Sequence, residues 1–248
     1  MNQNLHILGI RIDAVTFDQA VEKAITTLKG TDQKYFVTPN PEIVLKGHAN
    51  EQYGKILNGS SLNIPDGTGL LFAAKFLKLF GKSTITLPER VTGVDLTTKL
   101  IQLSHSENFS IFFLGASEES NQKTIEFAKK HNAHIAERYT GSPHDPEGIK
   151  LIQKSKPDLV FVAYGAPKQE QWIADNLSKC PSIKLAIGIG GSFDFIAGTR
   201  KRAPLLFQKL RIEWLYRLIQ EPSRWKRIWN ATIVFPFRVF MSQFYSQE

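Results

Sequence analysis

One cysteine, Cys180, occurs in 248 residues, so the chain has no internal disulfide framework. A packed thiol in a reducing, cytosolic setting is the expectation for it, not a nucleophile. No run reaches the ~18–20 apolar residues needed to cross a bilayer. The nearest stretch, residues 228–244, is interrupted by Asn230, Pro236 and Arg238. Residues 1–8 read as too short and too polar for a signal peptide. There is no Asp-x-Asp pair to hold a divalent metal on a diphosphate, no Cys/His cluster and no serine nucleophile elbow. His144-Asp145-Pro146-Glu147 reads as a helix-start turn and not a metal site. Internal repeats and low-complexity segments are also absent.

What is present is unevenly distributed. The net charge is +8, and residues 199–248 carry 10 Lys/Arg against 3 Asp/Glu, leaving residues 1–198 almost neutral. Three of the four tryptophans, Trp214, Trp225 and Trp229, lie in the same tail. A neutral body with a basic, aromatic appendage suits a protein that meets an anionic surface or substrate at one end. Indole rings beside Lys and Arg suit a membrane interface, where part of each residue is wet and part apolar. The expected division is a body over residues 1–198 and an appendage over residues 199–248.

Strand and helix signals alternate through residue 198. Leu5–Ile10 reads as a short strand, and Thr16-Phe17-Asp18-Gln19 as a capping box opening a helix that ends near Gly30. Tyr35–Thr38 reads as a strand running into Asn40-Pro41, an N-cap followed by a first helical residue. A helix over Glu51–Leu57, a strand at Leu62–Ile64 and an apolar helix from Leu70 to about Leu79 follow. Phe109–Leu114, Leu159–Ala163 and Leu185–Ile189 are continuous apolar runs, which suit strands buried on both faces of a parallel sheet. Helical segments lie near Glu118–His131, Glu147–Ser155 and Lys168–Leu177. The expected fold is α/β: a Rossmann-like, mostly parallel sheet covered by helices, with a basic helical appendage.

In such a sheet, ligands bind beyond the carboxyl ends of the strands. Four segments should converge there. Thr38-Pro39-Asn40-Pro41-Glu42 offers a helix N-terminus to a phosphate, although Asn40 is equally well explained as a simple cap. Pro65-Asp66-Gly67-Thr68-Gly69 presents a carboxylate that could serve as a general base, but Asp-Gly is also a common turn. In the third, Tyr164 to Glu170, Lys168 and Gln169 are polar donors at a helix start. In the fourth, Gly188 to Asp194, glycines admit a close ligand and Asp194 could accept from ribose hydroxyls. Arg90 could neutralise phosphate. Without a metal motif, a diphosphate leaving group would need guanidinium partners, and the tail supplies Arg217, Arg224 and Arg227.

These segments occur together, in this order, with Pro88-Glu89-Arg90-Val91, Lys201-Arg202-Ala203-Pro204 and Glu213-Trp214-Leu215-Tyr216-Arg217-Leu218. The set resembles the WecG/TagA/CpsF glycosyltransferases, glycosyltransferase family 26, from Leu5 to about Trp229. Each motif alone is weak; seven in order are specific. The resemblance implies an inverting, metal-independent and cofactor-free transfer from a UDP-sugar. The donor would be UDP-N-acetylmannosamine and the acceptor polyprenyl-diphosphate-linked N-acetylglucosamine. The enzyme would sit peripherally on the inner face of the cell membrane, its product priming wall teichoic acid. By motif position, Asp66 would be the general base and Arg90 would lie near the reacting centre. Thr38, Asn40 and Gln169 would hold the sugar and diphosphate, Asp194 the nucleoside, and Arg217, Arg224 and Arg227 the diphosphates. Family members often carry an aromatic residue after the glycine matching Gly141; this chain has Ser142, with Tyr139 as the nearest substitute.

UDP-N-acetylmannosamine uronic acid or UDP-glucose would serve the same chemistry. A nicotinamide-dependent dehydrogenase would explain the sheet and Gly188-x-Gly190-Gly191, but no glycine-rich turn follows the first strand. A nucleic-acid-binding module would explain the tail alone; the resemblance implies no nucleic-acid partner. An exposed apolar face on the appendage can pack on the body, on lipid or on a second subunit in a homo-oligomer.

Overall fold

A computed structural model describes residues 3–201, 203–204, 207 and 213–244. The architecture is α/β, with a six-stranded sheet whose strands are all parallel. A two-stranded antiparallel hairpin, β1 (Asn4–Ile7) and β2 (Ile10–Asp13), precedes it. The single strand expected at Leu5–Ile10 is thus broken in two. Leu8 and Gly9 take φ of 52° and 80°, the left-handed pair that a tight two-residue hairpin turn requires.

The sheet comprises β3 (Lys34–Val37), β4 (Leu62–Asn63), β5 (Ser110–Gly115), β6 (His134–Tyr139), β7 (Leu159–Ala163) and β8 (Leu185–Gly188). Their order is β4-β3-β8-β7-β5-β6. The apolar runs of β5, β7 and β8 form its centre, and alternate residues feed opposite cores. Phe36, Ile111, Phe113, Phe161 and Ile187 pack on one face. They meet α1 (Phe17–Lys29), α5 (Gly93–Leu103), α6 (Glu118–Lys130) and α9 (Ser192–Ile196). Phe112, Leu114, Val160, Val162 and Ala186 pack on the other, against α7 (Glu147–Ser155) and α8 (Lys168–Asn176). The sequence reading assigns no element to α5 or β6. The latter is a half-buried edge strand whose polar residues hide its pairing with β5.

A third apolar cluster joins the hairpin, α2 (Pro41–Ala49), α3 (Glu51–Asn58) and α4 (Thr68–Leu79) to the tail. The helices of the described tail are α10 (Glu213–Gln220), a 3-10 turn (Pro222–Arg224), α11 (Trp225–Trp229), a π-helical turn (Asn230–Val234) and α12 (Phe235–Met241). Phe235 and Val239 of α12 are buried in that cluster. Among the described residues no helix is long and apolar enough to cross a membrane.

Candidate active site

The connections leaving β3, β4, β5, β7 and β8 meet beyond the carboxyl end of the sheet, as the fold rule requires. They line a polar cleft of about 580 Å³. A second cavity of about 990 Å³, mostly apolar, adjoins it between α4 and the tail helices. Asn40, Glu42, Asp66, Arg90, Arg224 and Arg227 border both.

Asp66 stands at this junction. Its backbone N–H donates to Pro39 O at 2.9 Å, and Pro65 O accepts from Val91 N at 3.0 Å, so its loop is tied on both sides. Gly67 follows with φ of +145°, and a Cβ there would lie 3.1 Å from Pro41 Cδ. Glycine therefore lets the chain turn into α4 directly after the carboxylate. Asp66 Oδ2 accepts from Gly93 N, the first helical residue of α5, at 3.3 Å.

Asn40 caps α2, its Oδ1 accepting from Ile43 N at 3.0 Å, and it lines the cleft. The capping explanation and the cleft position both hold. Thr38 Oγ1 donates to Gly188 O at 2.9 Å and is buried beneath the cleft. Gln169 is 1% exposed. Its Oε1 accepts from Gly165 N at 3.1 Å and Gly190 N at 2.9 Å, which fastens the β7 and β8 connections together. A Cβ on Gly188 would come within 2.9 Å of Gln169 Nε2, so this staple depends on the glycine. Lys168 is exposed and lies outside the cleft lining.

Glu170, beneath the staple, is fully buried. It accepts from Gln169 Nε2 at 2.7 Å and from Tyr53 Oη at 3.0 Å. Burial raises its pKa above the ordinary carboxylate value, against the pull of those hydrogen bonds and of Lys46. Burial and the neighbouring Glu170 likewise raise the Tyr53 phenol.

Four cleft guanidiniums are held by carboxylates. Arg90 pairs with Glu213 at 2.5 Å, which fastens α10 to the loop before α5. Arg227 Nε meets Glu42 Oε2 at 2.7 Å, and Glu42 Oε1 meets Lys46 at 2.9 Å. Burial opposes the Glu42 charge, but the bonds from Lys46 and Arg227 outweigh it and lower its pKa. Arg224 pairs with Glu221. Arg200 bridges Glu221 at 3.0 Å and Asp194 Oδ2 at 3.2 Å. The side chain of Arg217, on α10, lies outside the described residues, as does Arg202. The sequence reading passed over Arg200, Glu42, Glu213 and Glu221. Each sits within or beside a motif it quoted, but nothing in spacing alone pairs Glu42 with Arg227 or Glu213 with Arg90, which lie far apart in the chain.

Tyr139 lies across Gly141, where a Cβ would sit 2.1 Å from its hydroxyl, and that hydroxyl donates to Asp145. The hydrogen bond pushes the phenol up to about 12. Neither Tyr139 nor Ser142 lines the cleft; the half-buried Tyr164 does. Among the described residues, no group of three or more His, Cys, Asp or Glu could hold a metal ion.

A parallel α/β sheet with a polar, arginine-bordered cleft at its carboxyl end defines a ligand-binding α/β enzyme fold. The family model of the glycosyl transferase WecG/TagA/CpsF family matches residues 5–248, and the chain belongs to that family; it is a glycosyltransferase. It is similar to N-acetylglucosaminyldiphosphoundecaprenol N-acetyl-beta-D-mannosaminyltransferases of Staphylococcus aureus. The protein of strain MRSA252 is 34% identical over 227 residues, covering 90% of this chain and 85% of the relative. That of strain MW2 is 34% identical over 234 residues with the same coverage.

Proposed function

We propose that the enzyme moves N-acetylmannosamine from a UDP-sugar to polyprenyl-diphosphate-linked N-acetylglucosamine. The names of the S. aureus relatives support this sugar and acceptor. The observation that carries the reading is the junction. Asp66 and Arg90 border both a polar cleft, which suits a nucleotide sugar, and an apolar groove, which suits a lipid-linked acceptor.

In this reading the donor lies in the cleft, with its nucleoside towards Asp194 and Tyr164. Asp66 accepts the proton of an acceptor hydroxyl. That oxygen attacks the anomeric carbon from the face opposite the diphosphate, the sugar–phosphate bond breaks with its electron pair, and UDP departs. One displacement inverts the centre. Arg90, Arg217, Arg224 and Arg227 carry the diphosphate charge in place of a metal, the described ones exchanging Glu213, Glu221 and Glu42 for phosphate oxygens. Thr38, Asn40 and Gln169 shape the sugar and diphosphate subsite. Residues 199–248 complete the site and hold the enzyme against the cytoplasmic face of the membrane, where the product primes wall teichoic acid.

A product assay tests this, using a short-chain lipid-diphosphate-N-acetylglucosamine acceptor and a panel of UDP-sugars with and without chelator. Transfer from UDP-N-acetylmannosamine, unaffected by chelator, is expected. Preference for the uronic acid or glucose donor would overturn the donor assignment. Asp66→Asn should cut turnover by about 10²–10⁴-fold in a folded protein. Near-normal turnover in that variant would remove Asp66 as the base.

A further inference from the structure

Among the described residues, the exposed large hydrophobic side chains fall in two segments only. One is the tail from Trp214 to Phe244. The other is a body element, α4 and its end, where Phe72, Leu79 and Phe80 are 55%, 82% and 48% exposed. Helix α4 buries Leu70, Leu71, Ala73, Ala74 and Leu77 inward. Phe72, Phe76, Leu79 and Phe80 recur at i, i+4, i+7 and i+8, a second apolar stripe on the outward side.

Within the two segments that carry these side chains, the charge has one sign. Residues 67–88 contain Lys75, Lys78 and Lys82, all exposed, and no Asp or Glu. Residues 222–247 contain four Lys/Arg and no acid. The near-neutral balance of residues 1–198 conceals this local excess. The two acid-free segments touch: the Phe76 ring lies 4.5 Å from Phe80 and 6.0 Å from Phe240, which lies 5.0 Å from Phe244. Body and tail thus share one continuous aromatic ridge flanked by cations.

We propose that the outward face of α4, with its Phe80-Gly81-Lys82 turn, docks into the headgroup layer of an anionic lipid bilayer beside the tail helices. Leucine and phenylalanine reach the acyl boundary while lysine ammonium groups stay among lipid phosphates. The lack of acidic residues in both segments fits a lipid phosphate surface better than a protein partner of mixed charge. The contact is then bipartite, and the apolar groove between α4 and the tail opens at bilayer level. The need for such a contact rests on the lipid-linked acceptor proposed above; the contact itself is measured without it.

The test uses the full chain and phosphatidylcholine vesicles with and without phosphatidylglycerol. Leu79 and Phe80, like Lys78 and Lys82, line neither cavity. A Leu79→Ser/Phe80→Ser variant should lose at least about tenfold in partitioning onto anionic vesicles. A Lys78→Ser/Lys82→Ser variant should lose roughly tenfold or more there and little on neutral vesicles. Both should turn over a soluble short-chain acceptor as the wild type does. Unchanged partitioning of both variants would overturn the proposal. So would a wild-type dimer by light scattering that both variants dissociate with vesicle binding intact, since a second copy would then cover the face. If a variant proves misfolded, Leu79→Cys carrying an environment-sensitive fluorophore decides, because Cys180 is buried. A blue shift on adding anionic vesicles supports docking, and its absence refutes it. A chain that docks through α4 yet transfers no sugar would sink the proposed function and leave this surface standing.

Discussion

Glu170 shows how one buried side chain can govern a site it never touches. It holds Gln169 Nε2, and Gln169 in turn fastens Gly165 and Gly190 at the cleft rim. Its raised pKa means the folded state favours the neutral acid. The associated stability is full below the unfolded carboxylate pKa and is lost as pH rises through the folded value. Glu170→Gln mimics the neutral acid, so its urea midpoint should not share the decline that the wild type shows with rising pH. Glu170→Ala should cost about 1–3 kcal/mol for each of the two donors it strands, Tyr53 Oη and Gln169 Nε2. Its KM should rise as the glycine connections loosen. Parallel pH profiles of wild type and Glu170→Gln would show that folding does not shift the Glu170 pKa.

Elements were readable in proportion to the clarity of their local chemistry. Thr16 and Gln19 form the expected capping box, and Asn40 caps α2 in front of Pro41. The apolar runs of β5, β7 and β8 became the sheet centre because only strands covered on both faces can be so uniformly apolar. Strand β6 escaped because an edge strand needs no such pattern, and the hairpin because Leu8 is an unexpected residue at positive φ. The site was legible as motifs but not as pairings. The bond between α2 and α11, Glu42 to Arg227, joins residues that no spacing rule connects. Its pH dependence follows from the lowered Glu42 pKa. The tie is complete above the ordinary carboxylate range and is lost as pH falls through the depressed folded value. Arg227 is 55% exposed, so the pair contributes less than about 1 kcal/mol. Urea midpoints of wild type and Glu42→Gln should differ by a constant amount above about pH 5 and converge as pH falls through the depressed folded value. A gap that persisted at low pH would mean the glutamate acts by packing, not by charge.

At the scale of the whole molecule, charge and packing divide the chain differently. Net charge changes abruptly at Thr199, and the functional reading assigns the basic part to membrane contact and site completion. Packing crosses that boundary. Phe235 and Val239 are 1% and 2% exposed within the cluster that also holds Leu70, Leu71 and Val44. Arg90–Glu213 and Arg227–Glu42 tie α10 and α11 to the cleft wall. A tail that fills a core should unfold with the body and not before it. Removing the Phe235 ring leaves a cavity between α12, α2 and α4, so Phe235→Ala should cost about 3–5 kcal/mol. That loss should appear in one cooperative transition, with fluorescence from Trp172 in the body and from the tail tryptophans moving together. Turnover should fall alongside stability if the seating of α12 also holds Arg224 and Arg227 at the cleft. Two separated transitions, with the body midpoint untouched by the substitution, would show instead that the tail folds and docks as an independent unit.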